Sequence, residues 1–376
     1  MKLFEPYRVN NKLQLNNRIM MPPVVTRLAT TEGQVTEALI DRYLLYAKGG
    51  AGIVVTEAIS VKKQKSGQLL RLSEDEFIPG LKELTKRVHG ESDARIAPQI
   101  LHFLKIARSG YRQKVEDLSL EEVKEIPELF GKAAYRAREA GFDAAELHFA
   151  HAYTMSSFLS RYNHRKDDYG GPLKKRLRLA EEVVNESRKA VGNDFVLGVR
   201  INGDEFTLGG NSLEQGREIA LRLAELGLDY ISVSAGGKFE DAILKEGESL
   251  DPYTGYSGHR SMPPDWMPEK VNVYLAADIK KTINAAGFTT PVITAGRIPT
   301  AEIAESILQN NEADMVGIAR PILCDPSWPK KHKEGREKDI LQCIYCNKCR
   351  EAEGAFEEVT CFQWKKKDGT VQPPNP

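Results

Sequence analysis

The stretch Ala144–Gly171, AAELHFAHAYTMSSFLSRYNHRKDDYGG, opens as a short apolar run and turns within a few residues into a segment dense in imidazole, phenol and carboxylate groups. Side chains alternate along a strand, so Glu146 and His148 are expected on one face and Leu147 and Phe149 on the other. His151 and Tyr153 follow where the strand should give way to a loop or helix. In a closed parallel barrel the carboxyl ends of the strands carry function, so this strand calls for seven companions.

The companions are present. Short apolar segments recur at Arg18–Val24, Gly52–Ala58, Arg95–Leu101, Ala144–His148, Phe195–Ile201, Tyr230–Ser234, Pro291–Ala295 and Met315–Ala319. Between them lie Thr36–Ala47, Glu74–Val88, Glu121–Ala140, Pro172–Ala190, Ser212–Leu226, Lys270–Ala286 and Pro299–Gln309, with apolar residues at spacings of three and four that suit helices laid over a barrel. The alternation predicts an α/β chain forming one TIM (β/α)8 barrel over residues 1–330; a doubly wound sheet would leave several strands unused. Two interruptions stand out. Leu104–Ser119 has little apolar continuity, and the Gly- and Pro-rich excursion at 236–268 is expected to cover the carboxyl face as a substrate-facing lid; a surface insertion is the alternative.

Composition limits the partners. Across 376 residues, 53 basic side chains balance 53 acidic ones, so no global field points to nucleic acid or a membrane surface. There is no basic start followed by an apolar run and no 18-residue apolar span, so membrane insertion is not expected and the cytoplasm is the default location. A homo-oligomer is left open.

At the late strand ends, Gly296 and Arg297 close the seventh strand, and Ala319 and Arg320 close the eighth. Backbone amides beside a glycine and a guanidinium fork suit phosphate, and barrels often hold phosphate there. No GxGxxG opens a helix after an initial strand, so a Rossmann domain has little support. Gln99 and Arg200 also stand at strand ends, where an amide can pair with a planar ring and a guanidinium can stabilise developing charge. Packed polar groups and exterior ion pairs are the ordinary alternatives for such residues. HxxH at His148 and His151 is also compatible with half a metal site or with structural histidines.

Taken in order, LFEPYRVNNKLQLNNRIMMPPV, HFAHAY, NHRKDDYGG, GVRINGDEF, VITAGRI, GIARPILCDPSW and CIYCNKC resemble the old yellow enzyme family over about Leu3 to Cys361. The resemblance is closest to the branch with iron and sulphur that includes 2,4-dienoyl-CoA reductase and trimethylamine dehydrogenase. It implies FMN at the carboxyl end of the barrel. Pro23, Val24 and Val25 would line the flavin, Ala58 would leave room beside it, and Gln99 would pair with its pyrimidine edge. Arg200 would stand near N1, and the segments with Gly296, Arg297, Ala319 and Arg320 would hold the phosphate.

The resemblance makes His148 and His151 receivers of a carbonyl oxygen and Tyr153 a proton donor. Hydride from the flavin would reach the β carbon of an α,β-unsaturated carbonyl or an enoyl or dienoyl thioester, charge would grow on the carbonyl oxygen, and Tyr153 would protonate the α carbon. The alternative is a dehydrogenase that oxidises an amine or another reduced substrate and exports electrons. A non-enzymatic metal-bound scaffold would leave the strand-end residues without a use.

The chain departs from the family at several points. Ala319 replaces the glycine usual before the last arginine. Leu104 and Lys105 stand where Gly-Arg is common, and SAGGKFEDA lacks the histidine that dienoyl-CoA reductases carry after strand six. His102 and His259 are the histidines left to enter the pocket.

Residues 331–376 are read as a cysteine-rich extension. Cys343, Cys346 and Cys349 form CxxCxxC, and Cys361 follows; four thiolates suit a [4Fe-4S] cluster or a structural zinc. The attached flavin barrel shifts the expectation to iron and sulphur, although the related reductases have one more residue between the second and third cysteines. Cys324 is expected to pack near the barrel end. After Cys361 only FQWKKKDGTVQPPNP follows, so electrons are expected from a partner protein or from NADH or NADPH over the flavin.

Overall fold

Apolar residues at alternate positions of eight strands meet inside a closed barrel. The computed structural model describes all residues except 64–66, 106–112, 239–254 and 368–369, so the middle of the 236–268 excursion and part of Leu104–Ser119 lie outside the described residues. A hairpin of β1 (Tyr7–Val9) and β2 (Leu13–Leu15) comes first. The barrel follows as β3 (Ile19–Met21), β4 (Ile53–Ser60), β5 (Arg95–Leu101), β6 (Ala144–Phe149), β7 (Val196–Asn202), β8 (Tyr230–Ser234), β9 (Val292–Ala295) and β10 (Met315–Gly317). All eight are parallel, and β10 pairs back onto β3.

The interior cluster at the amino end holds Met20, Ile53, Val55, Ala97, Ala144, Val196, Tyr230, Ile293 and Met315, so every strand contributes to it. The hairpin closes the amino end beneath it with Val9 and Leu15. Tyr230 spans this interior because Gly198 faces it: a Cβ there would lie 2.2 Å from the ring. The hairpin was not read from the sequence, since three-residue strands carry almost no alternation. Its signal is Asn10-Asn11, both at positive φ (42° and 58°), which Asn tolerates.

Outside run α1 (Glu37–Lys48), α2 (Ile78–Glu91), α3 (Leu120–Glu139), α4 (Thr154–Leu159), α5 (Leu173–Arg176), α6 (Arg178–Val191), α7 (Leu213–Glu225), α8 (Gly255–Ser261), α9 (Val273–Ala285) and α10 (Ala301–Gln309). Caps set several of the starts: Thr36, Ser119 and Thr300 each accept a backbone N–H, and Ser119 with Glu122 forms a capping box. The expected helix at Pro172–Ala190 is two, α5 and α6, that run on through Leu177 at helical dihedrals. The expected first strand stops at Met21 because Pro22 and Pro23 have no N–H for the ladder. The last strand stops at Gly317, and α11 (Arg320–Cys324) begins directly after Ala319.

Beyond the barrel come α12 (Trp328–Lys333), α13 (Lys348–Gly354) and a small hairpin of β11 (Lys365–Lys367) and β12 (Thr370–Gln372). This segment is built onto the barrel. Ile340 and Val359 join the main core, and the Val359 amide donates to the Thr26 carbonyl at 3.0 Å. Arg42 donates to the Val359 carbonyl at 2.5 Å, and the Trp364 indole donates to the Cys324 carbonyl at 2.8 Å. Among the described residues no helix is long and apolar enough to cross a membrane.

Candidate active site

Strand register brings the site together. His148 on β6 lies opposite Arg200 on β7, which lies opposite Ser232 on β8, and Gln99 on β5 lies opposite Glu146 on β6. Leu147 and Phe149 face the other way, into the core between sheet and helices, as the alternation predicts. Past the strand the chain turns sharply: His151 and Ala152 both take left-handed φ (62° and 58°), and Tyr153 becomes the N-cap of α4. Such backbone costs about 1–3 kcal/mol per residue and persists where surrounding contacts enforce it. Here a bridge to Gly237, after β8, holds His151 in place. The His148 ring centroid ends 5.2 Å from that of His151 and 5.1 Å from that of Tyr153.

These three line a cavity at the carboxyl end of the barrel with about 1120 Å³ of free space counted out to its open mouth. Every expected flavin residue also lines it: Pro23, Val24, Val25, Ala58, Gln99, Arg200, Gly296, Arg297, Ala319 and Arg320. Ser261, Met262 and Pro263, from the described end of the excursion, border it too. His102 and His259 do not. His102 is buried with Nδ1 2.8 Å from the Thr154 hydroxyl, and His259 packs on Trp266.

Burial sets the charge states. It pushes both His148 and His151 well below the usual histidine range, with Arg200 and Lys238 adding to the effect, so both imidazoles are neutral. His148 Nδ1 is buried and makes no hydrogen bond. The His151 Nε2 sits 2.7 Å from the Ser234 hydroxyl, which also accepts from the Arg200 guanidinium at 3.3 Å. Ser234 was not singled out in the sequence. Its signal was the alternation in YISVS, which turns Ser232 and Ser234 to the same interior face as Arg200. Deeper in, Gln99 Nε2 donates to Glu146 Oε1 at 2.8 Å, leaving the Gln99 carbonyl oxygen for another partner. Burial raises the Glu146 carboxyl against the opposing pull of Arg200.

At the far end, Gly296 takes φ 120°, a region that favours glycine, where a Cβ would also lie 2.8 Å from the Asn272 amide nitrogen. Arg297 and Arg320 each stack on the Tyr345 ring, at 4.9 and 4.7 Å, and Arg320 donates to the Asn347 side chain at 2.5 Å. Arg297 also donates to the Pro264 carbonyl at 2.8 Å, so two guanidiniums are fixed at one end of the cavity by the end of the excursion together with the cysteine segment. Tyr345 has no signal in the sequence because its contacts cross from residue 345 to the segments that follow β9 and β10.

The sequence profile of the NADH:flavin oxidoreductase / NADH oxidase family matches residues 2–116 and 105–339. The chain belongs to this family. It is 37% identical over 366 residues to an NADH oxidase of Thermoanaerobacter brockii, covering 92% of this chain and 52% of that protein. Among solved structures it superposes on a 2-naphthoyl-CoA reductase in complex with 2-naphthoyl-CoA with TM-score 0.81 and 25% identity, covering 96% of this chain and 56% of that one. A histamine dehydrogenase from Rhizobium sp. 4-9 gives TM-score 0.80 and 26% identity, covering 96% and 52%. The chain therefore spans about half the length of these relatives.

The barrel is the FMN-binding barrel of this family, and the donor set fits that cofactor. The apolar wall of Pro23, Val24 and Val25 faces the cavity together with the available Gln99 carbonyl, the Arg200 guanidinium, and the fixed Arg297 and Arg320 at one end.

A second, smaller cavity of about 310 Å³ adjoins it, sharing Arg320, Leu323, Tyr345 and Cys349. Cys343, Cys346, Cys349 and Cys361 all line it, and so does Cys324, whose sulphur lies 3.5 Å from that of Cys361. Burial raises Cys349 to about 11, while contact with Cys324 lowers Cys361 to about 7. Among the described residues no three cysteine sulphurs lie within 4.8 Å of one another, whereas a tetrahedral zinc would hold them about 3.8 Å apart.

Proposed function

We propose that the chain is a flavin-dependent ene-reductase acting on an α,β-unsaturated carbonyl or an enoyl or dienoyl thioester. The observation that carries this reading is the convergence of neutral His148 and His151 with Tyr153 on the cavity that also holds the flavin set. Reduced FMN supplies the hydride. The chain's residues bind and orient the acceptor: His148 and His151 donate to the carbonyl oxygen, where charge develops, and their neutrality avoids a buried fixed cation in the resting site. Tyr153 gives its phenolic proton to the α carbon. The 2-naphthoyl-CoA reductase likeness supports a thioester among the acceptors.

The cysteines are proposed to hold a [4Fe-4S] cluster, carried by residues 331–376 as a unit attached to the barrel. Five thiols line one cavity and, among the described residues, no three of their sulphurs lie within 4.8 Å of one another, an open arrangement that suits a cube whose metals stand at four corners. Cys349 borders both cavities, which gives electrons a short route between cluster and flavin. The donor is NADH, NADPH or an electron-transfer protein. Oxidation of an amine is the second reading, favoured by the likeness to histamine dehydrogenase.

Anaerobic purification with flavin, iron and sulphide analysis, followed by stopped-flow reoxidation of the reduced protein, tests the proposal. Reoxidation by a conjugated enone or enoyl thioester is the expected outcome. Flavin reduction by amines with no reoxidation by any unsaturated carbonyl would reverse the assigned direction, and stoichiometric zinc without iron would remove the cluster.

A further inference from the structure

Away from both cavities, three side chains converge on the outside of the last β/α unit. Glu302 stands in the first turn of α10, His332 lies on α12, and Glu337 opens the turn that follows. One ligand atom from each lies within 4.8 Å of the others. The two glutamates are exposed, but His332 is only 8% exposed, and neither of its ring nitrogens has a hydrogen-bond partner among the described residues. The nearest approach, Nδ1 to Glu337 Oε1, is 3.9 Å, too long for a hydrogen bond.

A buried imidazole without a partner calls for an explanation, and an absent ion is one of the standard ones. The His332 ring is fixed by packing on Trp328, at 4.3 Å between centroids, so its nitrogens have a defined aim. Burial also lowers its pKa, which keeps it in the neutral, ligating form. Nearby cations are largely answered: Lys331 pairs with buried Asp325 at 2.9 Å, and Arg336 pairs with Glu334 and Asp339.

We propose that Glu302, His332 and Glu337 bind a divalent transition-metal ion of the zinc class, with water completing its shell. One imidazole nitrogen and two carboxylate oxygens suit zinc at about 2.0–2.2 Å, a closure that the exposed glutamates can make by side-chain rotation. The ion ties α10 to the segment that runs from α12 into Cys343. It is separate from the cysteine cavity and does not depend on the flavin reading.

Equilibrium dialysis of the full chain against micromolar Zn²⁺, with metal analysis, compares three proteins: wild type, the double variant Glu302→Gln/Glu337→Gln, and His332→Phe, which keeps a ring against Trp328. Both variants are expected to hold one equivalent less zinc than wild type, whatever the cysteines take up, because those thiols are common to all three. Zinc should also raise the wild-type Tm more than that of either variant. The double variant changes only exposed side chains, so it keeps the test open if His332→Phe folds poorly. Equal zinc in wild type and the double variant would overturn the site.

Discussion

The barrel-mouth cavity and the cysteine cavity share four residues but are held by different means. Gln99, His148 and Arg200 stand on adjacent strands whose ladder sets their spacing, and the turn at His151 is pinned by its bridge to Gly237. Cys343 and Cys346 stand on irregular backbone, near Tyr345 and Asn347 at left-handed φ, and Cys324 and Cys361 reach the same space from α11 and from beyond α13. A sheet places side chains without help from a ligand. On the proposed reading, the thiols, spread over irregular segments, would be completed by the cluster they hold.

The largest expected effects test the rigid half. His148→Ala should lower reductive turnover by about 10²–10³-fold with FMN retained, since it deletes a preorganised donor to the developing oxyanion; an unchanged reoxidation rate in stopped-flow would require another substrate pose. Tyr153→Phe should cost about 10²-fold and leave flavin reduction by the donor little changed. Product stereochemistry at the α carbon should loosen as solvent takes over the protonation. Full rate with intact stereochemistry would exclude Tyr153 as the donor.

A cysteine variant tests whether the two cavities are separable. Cys346→Ala should remove most of the iron and sulphide while FMN content stays near one per chain, because Cys346 borders only the smaller cavity. Parallel loss of flavin would mean that the cavities form a single cooperative unit.

Two pH predictions follow from burial. Since burial holds His148 and His151 well below the ordinary histidine range, an acid limb of kcat at the ordinary histidine pKa should not come from either. A limb that disappears in His148→Ala would refute that. Glu57, on β4 beside Ala58, is raised by burial to about 7, with Thr26 and Tyr43 opposing. A carboxyl raised in the folded state contributes stability that is present below its unfolded pKa and lost as pH rises through the folded one. The wild type should therefore lose on the order of 1–3 kcal/mol between pH 5 and 8 that Glu57→Gln does not lose, read by urea unfolding at both pH values. Equal losses would place the proton elsewhere.

The amino-acid order by itself determined the barrel and most of its mouth. Arg95–Leu101 and Tyr230–Ser234 are strands with the bounds that alternation and apolar content predict. A strand's period of two also decides which residues face inward, so Glu146, His148 and Arg200 were legible as interior groups. The residues that the resemblance assigns to the flavin all line the one cavity at the barrel mouth, which is as far as the order of the chain could place them.

Only the tertiary structure decided the contacts made across long stretches of chain. Ser234 bonds His151 from 83 residues away, Cys324 meets Cys361 across 37, and Tyr345 receives Arg297 from the turn after β9 and Arg320 from the start of α11. The trio Glu302, His332 and Glu337 gathers from a helix start, a helix and a turn. Such pairings follow from how the barrel closes and how the last segment folds back over it, and no periodicity within one element encodes them. What repeats along a strand or helix can be read from sequence; what meets because two distant elements pack together cannot, because its cause is the packing.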